Sequence, residues 1–235
     1  MELTAAAAWL NTTFAVFDGA LLGFQHLMAE KLGTVLTPLM KIVTLLGEKG
    51  LLLILLSLGL MLFPRSRKIG VCMFGAIACG ALITNFVLKD WVARPRPFET
   101  LELYRQYWQA VGAPAEDGFS FPSGHVTAAA AGLSGLCLIS RRCRRRWLVP
   151  SLLWVLLMAA SRNYLMAHYP SDVLVAVLVG LVSALIARAV TRLIFQLLDL
   201  HDDLPFCARV LDFDIRNPFR YDADAKPNNG YKGKH

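Results

Sequence analysis

Five apolar runs, at residues 51–63, 69–88, 126–139, 147–160 and 173–198, narrow most what this chain can fold into. When helical, about 20 apolar residues match the ~30 Å hydrocarbon core of a bilayer. Lipid offers backbone groups no hydrogen-bonding partner, so each run must satisfy its own and become a helix. The chain is 56% hydrophobic and 17% charged, against roughly 25% charged in a soluble domain. The runs therefore predict an all-α fold, a polytopic membrane helical bundle with five strong transmembrane helices. The first run is short, and its helix must recruit residues 47–50 to cross. The second carries Gly70, Gly75 and Gly80, a small-residue face suited to close helix packing.

The ends of the chain read differently. Residues 14–29 and 32–46 are apolar in places, but Asp18, Gln25, His26 and Lys41 interrupt them. They are expected to form amphipathic helices at the membrane surface, a genuine first span being the alternative. The organisation that follows is an interfacial segment at 1–50, a membrane core at 51–200 and a polar cytoplasmic tail at 201–235. The last part of that tail, 217–235, reads as disordered. The N-terminus MELTAAAAWL lacks a basic n-region, so no cleaved signal peptide is expected. The cysteines Cys72, Cys79, Cys137, Cys143 and Cys207 form no CxxC pair, which predicts neither a structural disulfide nor a metal site.

A net charge of +7 points first to nucleic acid, but the basic residues fall in short loops beside apolar runs. That is the positive-inside pattern of an inner-membrane protein, and no nucleic-acid partner is expected. Arg65, Arg67 and Lys68 stand in one loop without an acid, and Arg141, Arg142, Arg144, Arg145 and Arg146 in another. Between them, 89–124 mixes Lys89, Arg94, Arg96 and Arg105 with Asp90, Glu99, Glu102, Glu116 and Asp117. The two basic loops therefore face the cytoplasm and 89–124 faces outward. Alternation then puts 166–171 on the same outer side.

Three polar islands share that side. In KDWVARPRP (89–97), Pro95 and Pro97 flank Arg96 and hold the segment extended, so Lys89 and Arg96 can point into one cavity. Arginine offers phosphate a planar fork of donors, and lysine a point charge. Alone, the pair reads equally as cations snorkelling at a membrane edge. In FPSGH (121–125), Ser123 is placed to cap a helix and Gly124 permits close backbone approach. The first amides and the helix dipole favour an anion there. His125 is placed to donate a proton to a leaving oxygen. In SRNYLMAHYPSD (161–172), Asp172 lies four residues after His168 and Pro170 suits the start of a helix. A carboxylate accepting from one imidazole nitrogen would leave the other free as a nucleophile. Arg162 and His168 would fall on different faces of a continuous helix, so the chain must break near His168.

Lys89-x6-Arg96-Pro97, Pro122-Ser123-Gly124-His125 and Ser161-Arg162-x5-His168-x3-Asp172 together resemble the three signature motifs of the type 2 phosphatidic acid phosphatases, the PAP2 superfamily. All match in order, without a substitution at the defining positions. The resemblance implies a membrane lipid phosphatase in which His168 attacks phosphorus and Asp172 orients it. It implies that His125 protonates the leaving group and then activates water. Lys89, Arg96, Ser123, Gly124 and Arg162 would hold the phosphoryl oxygens, with no metal or other cofactor. A site at the membrane edge suggests a lipid phosphate or diphosphate: undecaprenyl diphosphate, phosphatidylglycerol phosphate, phosphatidic acid or a lipid A phosphate. The chain layout is similar to the small bacterial undecaprenyl-diphosphatases. Residues 98–121 are expected to set selectivity, with Leu101, Leu103, Tyr104, Tyr107 and Trp108 as an interfacial flap or as membrane anchors. Three alternatives are a lipid phosphotransferase, a non-catalytic lipid-binding or transport protein, and a vanadate-dependent haloperoxidase, which the apolar runs disfavour. The sequence leaves the oligomeric state open.

Overall fold

A computed structural model describes residues 3–216. Every regular element among them is helical: α1 (Ala5–Thr13), α2 (Ala15–Leu46), α3 (Leu51–Met61), α4 (Arg67–Leu82), α5 (Lys89–Val92), α6 (Pro97–Thr100), α7 (Glu102–Val111), α8 (Gly124–Ile139), α9 (Arg141–Tyr164), α10 (Pro170–Leu200) and α11 (Pro205–Asp212). A 3-10 turn at Glu48–Gly50 joins α2 to α3, but Lys49 (φ 49°) and Gly50 (φ 69°) leave the helical conformation, so residues 47–50 do not extend α3 as expected and it spans 11 residues. Between α4 and α5 the helix widens to π-type bonding over Ile83–Leu88, a distortion frequent at functional sites.

α8 is the hub, packed against α4, α9 and α10. Its residues Ala128, Ala129, Ala130 and Ala131 are buried, and small residues on its neighbours let the backbones close in. A Cβ placed on Gly180 of α10 would sit 2.6 Å from Ala130 Cβ and 2.8 Å from the Ala131 amide nitrogen. Without a hydrophobic drive between helices in lipid, such close packing is what holds them together. The outward faces of α9 and α10 carry exposed Leu152, Leu153, Leu156, Leu178 and Leu185, an apolar belt fit for lipid. By length and composition, Ala15–Met61, Arg67–Thr100 and Pro170–Leu200 are able to cross a membrane, while Gly124–Ile139 is a shorter apolar helix.

Lys89 opens α5, Gly124 opens α8, Tyr164 closes α9 and Pro170 opens α10. Because these helices pack as neighbours, the three polar islands gather at one end of the bundle. The basic loops and α11 lie at the other. There Arg67 donates from Nη1 to the carbonyls of Val210 (2.5 Å) and Leu211 (2.8 Å), and from Nη2 to that of Phe213. The proximal part of the tail is therefore a docked helix. The stretch expected to be disordered, 217–235, lies outside the described residues.

The N-terminal segment departs from expectation. Instead of two helices at 14–29 and 32–46, α2 is one helix of 32 residues. Glu30 and Lys31, between the two apolar stretches, are good helix formers, and the helix continues through Pro38. Its partners run from Ser171 and Tyr169 near its start to Tyr164, Ser161 and Met158 near its end. It thus lies across the site end of α9 and α10.

Candidate active site

Each island is shaped by a local break in a helix. After α5, Ala93 adopts a left-handed conformation (φ 49°), turning the chain into an extended segment that ends where Pro97 opens α6. Arg96 is buried there, and loop carbonyls order its guanidinium. Nε donates to Gly118 O (3.0 Å), Nη2 to Asp117 O (2.9 Å) and Nη1 to Ala167 O (2.9 Å). Nη1 also lies 3.2 Å from Glu116 Oε2. Lys89 is half-buried nearby.

Ser123 occupies the N-cap position of α8, yet its hydroxyl makes no capping bond. Among the described residues the buried Oγ has no hydrogen-bond partner. A Cβ on Gly124 would meet nothing within 4 Å, so a ligand has room to reach the first amides of α8. His125, half-buried in that first turn, borders an apolar cavity of about 290 Å³. α9 ends at Tyr164, and Met166 (φ 55°) reverses the chain before α10. That is the break required to bring Arg162 and His168 together. Arg162 is buried, with Nη2 hydrogen-bonded to Glu116 Oε1 and Nη1 3.4 Å from Thr44 Oγ1. Its Nε, also buried, has no partner among the described residues.

The His168–Asp172 relation differs from the sequence expectation. His168 Nδ1 donates to the Ser120 carbonyl at 2.6 Å, while Asp172 Oδ2 stands 4.0 Å away, beyond hydrogen-bonding reach. The backbone bond fixes the tautomer, leaving Nε2 without a hydrogen bond among the described residues. Asp172 acts one step removed. Oδ2 accepts from the Ser120 hydroxyl and from Tyr169 N–H (2.9 Å), and Oδ1 accepts from Arg94 Nη1 (2.5 Å). The physical reason is helix geometry: Asp172 caps α10 through the Tyr169 amide, which turns its carboxylate away from the ring. Burial, then the charges of Arg162 and Arg96, hold the His168 imidazole well below its ordinary pKa, so the ring is neutral. Burial pushes the Glu116 carboxyl up, but Arg162 and Arg96 outweigh it and hold the group below its ordinary value.

All the residues picked from the sequence, Lys89, Arg96, Ser123, Gly124, His125, Arg162, His168 and Asp172, meet at this end. Four that matter were not picked. Glu116 bridges Arg96 and Arg162, Ser120 links His168 to Asp172, and Arg94 and Asp18 support Asp172. Arg94 stood in KDWVARPRP beside the chosen cations, and Asp18 was visible as a carboxylate interrupting an apolar stretch, which is itself a signal. The aromatic residues of 98–121 turn inward on the amphipathic α7. Tyr107 stacks on His26 of α2 at 3.6 Å, Tyr104 meets Tyr169, and Trp108 stacks on Phe98. Leu101 and Leu103 remain exposed.

A neutral imidazole, buried cations and an open helix N-terminus at one end of an apolar bundle define a helical membrane protein with a candidate histidine-based anion site. The family model of the PAP2 superfamily matches residues 70–195, and the chain belongs to that superfamily. An undecaprenyl-diphosphatase of Sulfolobus acidocaldarius is 29% identical over 127 residues, 52% of this chain and 54% of the relative, so the match spans about half of that protein. Undecaprenyl-diphosphatase BcrC of Bacillus subtilis is 28% identical over 71% of this chain and 81% of its own. The crystal structure of a transmembrane PAP2 type phosphatidylglycerolphosphate phosphatase from Bacillus subtilis has a TM-score of 0.59. It covers 80% of this chain and 90% of that one at 21% identity, a likeness of fold.

Proposed function

We propose that this chain is an integral-membrane lipid phosphatase acting through a phosphohistidine at His168, with an isoprenoid diphosphate as substrate. The observation that carries the reading is a pair of buried polar atoms, Ser123 Oγ and Arg162 Nε, that have no hydrogen-bond partner among the described residues. A buried donor left unpaired costs about 1–3 kcal/mol, and a phosphoryl oxygen would supply what both lack. Glu116 supports this, because its carboxylate already sits between Arg96 and Arg162 as an anion would.

In the first step His168 Nε2 attacks phosphorus while the ester or anhydride bond breaks. His125 gives its proton to the leaving oxygen, so the lipid phosphate departs as its protonated monoanion, or the lipid alcohol as a neutral molecule. The ring keeps its Nδ1 proton on the Ser120 carbonyl. In the second step His125, now basic, takes a proton from water, whose oxygen attacks phosphorus. The N–P bond breaks and inorganic phosphate leaves. Arg162, Ser123, the Gly124 amide, Lys89 and Arg96 stabilise the charge on the equatorial oxygens throughout.

The lipid part has a place beside the chemistry. The 290 Å³ cavity begins at His125 and follows α8 through Ala129 and Leu133 to Trp154 and Trp147 of α9. A single flexible chain would lie along it with its head at the histidines. The diphosphatase names of two relatives favour the isoprenoid diphosphate, and the name of the structural neighbour makes phosphatidylglycerol phosphate the second reading. The loop charges favour the inner membrane, with the site opening to the outer side and α2 at that interface.

Phosphate release by purified protein in detergent, with excess EDTA, on undecaprenyl diphosphate, phosphatidylglycerol phosphate, phosphatidic acid and lipid A phosphate tests this. The expected outcome is EDTA-insensitive release, fastest on the isoprenoid diphosphate and absent in His168→Ala. Transfer of phosphate to another acceptor without free phosphate would make the chain a phosphotransferase. Binding without turnover would make it a non-catalytic lipid protein.

A further inference from the structure

Behind His168, on the side away from the anion pocket, lies a buried polar cluster that phosphate binding does not explain. Arg94 is at its centre, with a side chain 1% exposed. Nη1 donates to Asp172 Oδ1 (2.5 Å) and to Ser171 Oγ (2.8 Å), Nη2 to Asp18 Oδ2 (2.9 Å), and Nε to Asn11 Oδ1 (2.8 Å). The guanidinium also stacks on Tyr169 at 3.8 Å. Asp18 in turn accepts from the Ser171 amide (2.8 Å) and hydroxyl (2.7 Å). Arg94 and a backbone amide donate to each carboxylate, and a serine hydroxyl faces each, partners that suit the anionic form.

The cluster thus sets one cation against two carboxylates and keeps one net negative charge. A salt bridge of Arg94 with Asp172 alone would be neutral. The second carboxylate comes from α2, which precedes the family-matched residues 70–195. Structural support for α10 would need no extra charge, since a neutral acceptor serves the Ser171 amide as well. Burying an additional carboxylate carries a desolvation cost even when it is paired.

We propose that Asp18 is a positioning residue for phosphoryl transfer: by sharing Arg94 with Asp172, it preserves a net negative charge behind His168 as that ring becomes cationic. This rests on the phosphohistidine reading. When Nε2 bonds to phosphorus, the imidazole retains its Nδ1 proton and becomes positively charged. The charge appears beside the Ser120 carbonyl and Asp172, both fully buried. A preorganised negative charge there stabilises the transition state and the intermediate more than the neutral ground state, so it raises kcat. Substrate binding, on the far side of the ring, gains nothing from it. The path from Asp18 to His168 runs through Arg94, Asp172 and Ser120, each joined to the next by a hydrogen bond.

The test compares Asp18→Asn, Asp18→Glu and His168→Ala with wild type in detergent on undecaprenyl diphosphate, reading kcat and KM separately beside thermal unfolding. Asparagine keeps one acceptor, that for the Ser171 amide, and removes the charge together with the Oδ2 acceptor shared by Arg94 and the Ser171 hydroxyl. The expected result is kcat lowered on the order of tenfold or more with KM unchanged, and kcat largely restored by glutamate. A folded Asp18→Asn protein with wild-type kcat overturns the proposal, as does a fall shared equally by the asparagine and glutamate variants. Should Asp18→Asn fail to fold, Asp18→Glu decides: wild-type kcat supports the role of charge, and a folded, slowed variant refutes it. If His168→Ala is as active as wild type, the phosphohistidine reading has failed and this proposal falls with it. A dead His168→Ala beside a fully active Asp18→Asn confines the failure to Asp18.

Discussion

At the scale of single residues, the site is defined by what its polar atoms lack. Ser123 gives up no hydrogen bond when truncated, because its buried hydroxyl has none among the described residues. Ser123→Ala should therefore leave thermal stability unchanged while lowering kcat/KM by about tenfold or more, the worth of one hydrogen bond to a charged group. A matching loss of stability would show that the hydroxyl serves the fold instead. His168 carries a second prediction. Its pKa lies well below the ordinary value because of burial and the charges of Arg162 and Arg96, so the ring stays neutral and nucleophilic as pH falls. The acid limb of log kcat/KM, corrected for the substrate's own ionisation, should lie below about 6.5. A limb above that value would contradict the assignment. The candidate site residues were legible in the sequence because their types and spacing suit phosphate chemistry. The supporting contacts were not. Asp172 four residues after His168 predicted a direct bond, but the Tyr169 amide claimed the carboxylate, and nothing in the spacing pointed to the Ser120 carbonyl. Asp18 is far from Arg94 along the chain, and only packing pairs them.

At the scale of elements, the separation between α8 and α10 sets the distance between His125 and His168. Gly180 fixes that separation, since a Cβ there would meet Ala130 and the Ala131 backbone. Gly180→Ala should cost about 1–3 kcal/mol of stability and reduce activity with it, measured by thermal unfolding and phosphate release on one preparation. An unchanged melting temperature would mean that the helices yield freely. The loop between α7 and α8 carries Glu116, whose carboxylate sits between Arg96 and Arg162, where the proposed function puts a substrate phosphate. It is flanked by Gly112 (φ 56°) and Gly118 (φ 72°), which permit the chain reversals on either side. Removing the competing charge by Glu116→Gln should lower the inhibition constant of inorganic phosphate by roughly threefold or more; weaker phosphate binding would make Glu116 a partner of the ligand. The apolar runs read from the sequence do become α3, α4, α8, α9 and α10. α2 was read as two helices because its polar residues interrupt the hydropathy. In the fold those same residues, Asp18 and His26 among them, face Arg94 and Tyr107 across the site end.

At the scale of the whole molecule, an all-α membrane bundle of the PAP2 superfamily places its candidate site at one end and its basic loops at the other. Apolar blocks and loop charges were enough to read that polarity, because lipid forces helices and arginines avoid it. The docking of α11 on Arg67 was not readable, since the bonds end on backbone carbonyls that every residue carries. The account stands on covalent transfer to His168. The measurement that tests it most directly is an acid-free denaturing quench of the purified protein during turnover of undecaprenyl diphosphate labelled in its terminal phosphate. The label remaining on the chain is then mapped and tested for acid lability. The account predicts an acid-labile phosphate on His168 that accumulates in His125→Ala, where the water step is slowed, and is absent from His168→Ala. Continued phosphate release by His168→Ala, or label mapped to another residue, would contradict it.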